Sequence, residues 1–348
     1  MNIKPIRIGN RLVGRGYPTY VIAEIGSNFD GSILKAKKLI KLAKQSGADA
    51  AKFQSFKTEL LLSKNGFNTK NTFQSKWPKS VWQTYKDAEL PREWHKELNQ
   101  YCKKIGITFF TSSWDFEAVD LLSKLNTPAF KIGSGDITFD ELLIYIGKKQ
   151  KPILLATGAS NFKEISHALN VLKSTGNKKI ILLHSVIQYP SSINQANINA
   201  MVSMQKKFKL NVGYSDHSPG SNVALASVTL GASVIEKHFT LSQKDKGPDH
   251  PHSMEPDSFR SMVNEIRLIE QALGNGIKTS QPEENETRII QRRGIWSIKQ
   301  IRKGEKFTPE NIMALRPAIG ISASNFKKLF GKKSWKDFPA GSPLKRTN

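Results

Sequence analysis

The chain has 348 residues, 38% hydrophobic and 24% charged, with 53 Lys and Arg against 29 Asp and Glu for a net charge of +24. Those proportions exclude a disordered chain, and no run of about 18 apolar residues is present that could cross a membrane. A single cysteine, Cys102, excludes an internal disulfide framework, and the N-terminal segment has no apolar core of signal-peptide length, so the expectation is a cytoplasmic protein.

After a short lead-in, MNIKPIRIGNRLVGRG, eight short apolar runs follow, each ending in polar side chains. YVIAEIG reaches Glu24, ADAAKFQ reaches Lys52, ITFFTSS reaches Thr111 and Ser112, and PAFKIGSG reaches Lys131 and Ser134. PILLATG then reaches Thr157, IILLHS His184, LNVGYSDH Ser215 to His217, and ASVIEKHF Glu236 and His238. Each run has the length of a buried strand, and a helix-like segment separates it from the next. Parallel strands are joined only through such crossovers, so eight units predict a (β/α)8 TIM barrel with its active site at the C-terminal strand ends.

Between the second and third runs, Lys57 to Leu90 forms an insertion of the kind that serves as a lid over a barrel mouth. The segment EWHKELNQYCKKIG reads as a helix with Cys102 as an inert buried thiol. The last barrel helix is PDSFRSMVNEIRLIEQALG, stopped by Gly274 and followed by a polar linker, NGIKTSQPEENET. From Glu286 the composition changes to 15 Lys and Arg against four Asp and Glu, with short alternating pieces broken by Gly and Pro. The expected division is a catalytic barrel over residues 1–280, its strands beginning near residue 18, and a small domain of strands and turns over 286–348. Lysine pairs such as Lys37–Lys38, Lys103–Lys104, Lys148–Lys149 and Lys206–Lys207 fall on predicted helices and read as solvated faces. No zinc-finger spacing, RNP motif or aromatic ladder accompanies the charge, so no nucleic-acid or membrane partner is expected.

Three groups of residues carry candidate chemistry. His217 and His238 end adjacent strands, where two imidazoles could hold a borderline divalent ion or could be hydrogen-bonded within the barrel; spacing leaves both open. His250 and His252, in KGPDHPHSMEP, rank below them because they lie in a Pro-flanked loop. Lys52 and Lys131 are inward-facing cations that require anions, either a phosphate or carboxylate substrate or the structural partners Glu24 and Glu236. Gly133-Ser134-Gly135 and Ser215 offer turns through which a phosphate can approach closely, and Glu24 could move protons or orient a hydroxyl.

The strings AEIGSNFDGS, GADAAKFQSF, AFKIGSGD, GYSDHSPG, VIEKHFTL and GPDHPHSMEP, in this order, resemble the N-acetylneuraminate (sialic acid) synthase family, which includes legionaminic and other nonulosonic acid synthases. The tail GIWSIKQIRKGEKFTPENIMALRP resembles that family's SAF (antifreeze-like, β-clip) domain. The resemblance implies a transferase that condenses phosphoenolpyruvate with an open-chain N-acetylated amino sugar such as N-acetylmannosamine. It also implies Mn²⁺, or Mg²⁺ or Co²⁺ in its place, and a domain-swapped homodimer. It assigns His217 and His238 to the metal, and Lys52, Ser112, Lys131, Ser134 and Ser215 to phosphoenolpyruvate. Glu24, Gln54, Tyr189, Glu236 and Asp249 match positions at the reacting centre or the sugar, and Arg316 matches an arginine lent to the partner's sugar site. Five positions depart from the family pattern: Phe29 replaces a histidine, Asp30 and Ile187 replace asparagines, Ala318 replaces a glycine and Asp136 stands for a glutamate. Two other functions compete: a barrel aldolase working through a Schiff base on Lys131 or Lys52, and an inactive barrel whose basic tail binds a polyanion.

Overall fold

The eight apolar runs form eight parallel strands in a computed structural model of the chain, which describes residues 3–67, 74 and 77–346. The chain divides into two units, residues 1–274 and 275–348. In the first, an antiparallel hairpin, β1 (Ile6–Ile8) and β2 (Arg11–Val13), precedes the barrel strands. These are β3 (Tyr20–Gly26), β4 (Ala50–Ser55), β5 (Thr108–Ser113), β6 (Phe130–Ile132), β7 (Ile153–Ala156), β8 (Ile180–Ser185), β9 (Asn211–Asp216) and β10 (Val234–His238). They pair in chain order, and β10 closes on β3.

Helices fill the crossovers. In chain order they are α1 (Ile33–Gln45), α2 (Thr58–Leu61), α3 (Val81–Ala88), α4 (Trp94–Ile105), α5 (Phe116–Lys124), α6 (Asp140–Gly147), α7 (Phe162–Ser174), α8 (Asn199–Phe208), α9 (Asn222–Thr229) and α10 (Pro256–Leu273). Local sequence sets their ends. Asp115 and Ser32 cap α5 and α1 through their side chains, and Asn161 with Glu164 forms a capping box on α7. On α1 the buried residues Ala36, Leu39, Ile40 and Ala43 follow helical spacing and face the sheet. The expected lid contains α2 and α3; its residues 68–73 and 75–76 lie outside the described residues.

Side-chain alternation along each strand divides the barrel into layers. Val21, Ala23, Ile25, Ala51, Phe53, Phe109 and Ile235 face outward into the layer shared with the helices. Tyr20, Ile22, Ala50, Phe110, Ala129, Leu154, Ile181, Leu183 and Val234 fill the lower interior, and Ile8 and Val13 of the hairpin pack against them. The lead-in is therefore a plug of the lower barrel. One layer higher, the same inward parity delivers Glu24, Lys52, Ser112, Lys131, Ser215 and Glu236. At Gly213 of β9 an added Cβ would meet the Val234 backbone and the side chains of Val234 and Leu183, so only glycine lets β10 pack there.

Outward parity corrects part of the sequence reading. Thr111 and His184 do not join the mouth: Thr111 is buried with its hydroxyl on a backbone carbonyl, and His184 packs edge-on to Tyr214 and bonds the Ala196 carbonyl. Thr157 likewise donates to the Leu183 carbonyl.

The second unit holds α11 (Glu284–Gln291), the hairpin β11 (Gly294–Ser297) with β12 (Ile312–Leu315), and α12 (Phe326–Leu329). Its core is Ile295, Ile301, Phe307, Ile312, Leu329, Phe338 and Leu344. The expected polar linker ends in α11, where Glu284 and Glu286 in the first turn favour the helix through its dipole. No helix of the described residues is long and apolar enough to cross a membrane.

Behind the mouth, Lys237 and Asp216 form a buried ion pair at 2.8 Å, and Lys237 also donates to the Ser218 carbonyl. Removing one partner leaves an uncompensated buried charge. Lys237→Met should therefore lower unfolding free energy by about 3–5 kcal/mol in denaturant titrations. The Asp216→Leu/Lys237→Met double variant should lose clearly less than the sum of the two single losses.

Candidate active site

Twelve of the thirteen residues to which the family resemblance gives a role line one cavity of about 380 Å³ at the C-terminal mouth of the barrel: Glu24, Lys52, Gln54, Ser112, Lys131, Ser134, Tyr189, Ser215, His217, Glu236, His238 and Asp249. The thirteenth, Arg316, is exposed in the second unit, immediately after β12. Register explains the grouping. Glu24 is opposite Lys52 across β3 and β4, Ser112 is opposite Lys131 across β5 and β6, and Glu236 is opposite Ser215 across β10 and β9.

The floor is a network of four buried charges. Lys52 Nζ lies 2.6 Å from Glu24 and 3.6 Å from Glu236, and Lys131 Nζ lies 2.9 Å from Glu236. The Ser215 hydroxyl donates to Glu236, the Ser112 hydroxyl accepts from Lys52, and Gln54 donates to Glu24 at 2.9 Å. The structural pairing weighed from sequence is present, and it lines the cavity.

The two carboxyls are driven apart by their surroundings. Burial pushes Glu24 up to about 7, because Lys52 offsets only part of the desolvation and the Glu236 charge opposes ionisation. Burial acts on Glu236 too, but Lys131 and Lys52 outweigh it and hold that carboxyl below its ordinary range. Burial also opposes the charge on Lys52, yet Glu236 and Glu24 raise it overall; Lys131 ends lowered, since Lys52 adds to its desolvation. Asp136 is pushed up to about 7 by burial.

Above this floor lie imidazoles. The His217 and His238 rings are 5.5 Å apart between centroids. His217 Nδ1 donates to the Val186 carbonyl at 2.8 Å, which leaves Nε2 with the lone pair in the neutral ring. Burial pushes His217 down to about 4 and His238 well below its ordinary value, so both rings are neutral. His238 Nδ1 is buried with no hydrogen-bond partner. Tyr189 packs over His217 with centroids 4.3 Å apart.

The two histidines of the PDHPH loop take different positions. A 3₁₀ turn, His250–His252, separates its two histidines. His250 is buried away from the cavity on Thr240 and Asp30, whereas His252 lines the cavity 4.7 Å from His238. Asp249 and His252 are three residues apart and share one side of the turn, the spacing that could have revealed them. Asp249 accepts from the Ser27 backbone N–H and hydroxyl at 3.1 and 3.0 Å. That approach needs Gly26, where φ is +54° and an added Cβ would stand 2.5 Å from the Asp249 carboxylate. Of the departures, Phe29 is in the hydrophobic core against Phe53 and Trp94, and Asp30 pairs with His250 and Lys35. Ile187 lines the cavity.

The chain is 43% identical over 326 residues to the N,N'-diacetyllegionaminic acid synthase of Campylobacter jejuni, covering 92% of this chain and 97% of that protein. It is 35% identical to the pseudaminic acid synthase of Helicobacter pylori, covering 94% and 96%. The crystal structure of N-acetylneuraminic acid synthetase from Leptospira borgpetersenii superposes with a TM-score of 0.74 at 30% identity, covering 82% of this chain and 95% of that one. Residues 39–278 match the NeuB family and residues 292–347 match the SAF domain. A closed parallel barrel with this cavity, followed by that domain, places the chain in the NeuB family.

Proposed function

We propose that the chain is a phosphoenolpyruvate-dependent nonulosonic acid synthase acting on an open-chain N-acetylated amino sugar, N-acetylmannosamine or a related hexose. C3 of phosphoenolpyruvate bonds to the aldehyde carbon, whose oxygen takes up a proton. Water adds to C2 and releases a proton, and phosphate then leaves. The observation that carries this reading is one cavity holding two buried ammonium groups beside serine hydroxyls and, next to them, a set of neutral imidazoles. The relatives named as an N,N'-diacetyllegionaminic acid synthase and a pseudaminic acid synthase support it.

The residues fit a divalent ion. His217 and His238 would hold it: both rings are neutral, and His238 Nδ1 has no protein partner, as a nitrogen reserved for a metal would not. When bound, such an ion supplies Lewis-acid activation of the sugar carbonyl. Lys52 and Lys131, with the hydroxyls of Ser112, Ser134 and Ser215, bind the carboxylate and phosphate and hold C3 in line for attack. Glu24 is poised near 7, so its carboxyl can pass on the proton that water loses at C2. Gln54 orients Glu24, and Tyr189, Glu236 and Asp249 border the space for the sugar. Glu24 and Glu236 raise Lys52 overall, which favours its ammonium form and disfavours a Schiff base on that residue. In a swapped homodimer Arg316 would serve the partner's sugar. A cytoplasmic setting accords with Cys102, a buried free thiol.

Phosphate release from phosphoenolpyruvate across a panel of amino-sugar aldehydes tests the reading directly. EDTA should abolish release and Mn²⁺ restore it, while borohydride with substrate should trap no adduct; trapping with EDTA-resistant turnover would favour the aldolase. His238→Ala should lose activity by orders of magnitude with an unchanged melting temperature. Arg316→Ala should raise the sugar KM far more than that for phosphoenolpyruvate. Co-expressed Arg316→Ala and His238→Ala subunits should regain activity, because the mixed dimer has one intact site; failure to regain it would refute the lent arginine.

A further inference from the structure

Metal held by two imidazoles alone would leave two features of the cavity without a role. His252 has a side chain only 4% exposed, and its Nε2 is buried with no hydrogen-bond partner. The Asp249 carboxylate is turned by Ser27 so that Oδ2 is occupied, while Oδ1 lies 3.9 Å from that same Nε2. A donor atom from each of His238, Asp249 and His252 lies within 4.8 Å of the other two. Two imidazoles and a carboxylate at that mutual distance suit a borderline divalent cation, and a hydrogen-bond network would leave neither nitrogen vacant.

Resting on the metal-dependent reading above, we propose that His252 and Asp249 are metal ligands. Together with His238 they would hold the ion, and His217, its ring centroid 5.5 Å from that of His238, would be available as a further ligand. The local chain is built for this. The 3₁₀ turn projects Asp249 and His252 together, and His250, locked between Thr240 and Asp30, anchors the turn to the loop after β3. Tyr189 lies against both flanking imidazoles, 4.3 Å from His217 and 5.2 Å from His252, and restricts their planes. Ser27 acts one shell out by aiming the carboxylate.

The test is Co²⁺ binding to the full-length metal-free protein without substrates, followed by visible absorption, which reports the ligand set independently of turnover. His252→Ala should weaken Co²⁺ binding by at least roughly 10–100-fold and change the absorption spectrum. His252→Gln, closer in size, should do the same, and melting temperatures of the metal-free variants should match that of the parent. Ser27→Ala should weaken binding by a smaller factor. Binding by both His252 variants within twofold of the parent, with the spectrum unchanged, would overturn the proposal while leaving the metal reading standing. If the parent protein binds no Co²⁺, both fall.

Discussion

Four formal charges, on Glu24, Lys52, Lys131 and Glu236, are buried in one layer of the barrel, and only their mutual contact makes that burial tolerable. Each strand end contributes one charge, so the layer depends on barrel closure: β10 carries Glu236, β3 Glu24, β4 Lys52 and β6 Lys131. The pairing also divides the two carboxyls into different states. Glu236, held down by both lysines, is a fixed anion, whereas Glu24 remains near neutrality in its titration. With Glu24 protonated the layer has two ammonium groups against one carboxylate, a local excess of positive charge suited to an anionic substrate.

A second buried pair stabilises the imidazole side from behind. Asp216 and Lys237 immediately precede His217 and His238, and their contact on the outer face ties together the two strand ends that carry the inward rings. Strand parity allows this economy: one residue of each dipeptide faces the helices and the next faces the cavity. Opposite them, the Asp30–His250–Thr240 chain of hydrogen bonds fastens the Asp249–His252 turn. The replacement of the family's histidine by Phe29 does not touch the cavity, since that ring belongs to the aromatic core with Phe53 and Trp94.

Much of this was legible in the residues. The eight apolar runs became the eight barrel strands, and inward parity brought Glu24, Lys52, Gln54, Ser112, Lys131, Ser215, Glu236 and His238 to one mouth, because alternation is a local property of an extended chain. Thr111 and His184 were misplaced for the same reason: being at a strand end says nothing about which face a side chain takes unless parity is counted. The lead-in was too short to read as a hairpin, and α11 was hidden by a composition that also suits a linker.

Sequence alone determined the barrel, most of the residues named for its mouth and the resemblance of the tail to a SAF domain. Tertiary structure decided which charges meet, which imidazole nitrogens remain free, and that His252 rather than His250 faces the cavity. Those outcomes depend on groups from different strands and loops approaching within a few ångströms. Closure of the sheet and the packing of one 3₁₀ turn against a neighbouring loop set such distances, and no window of the chain contains both partners.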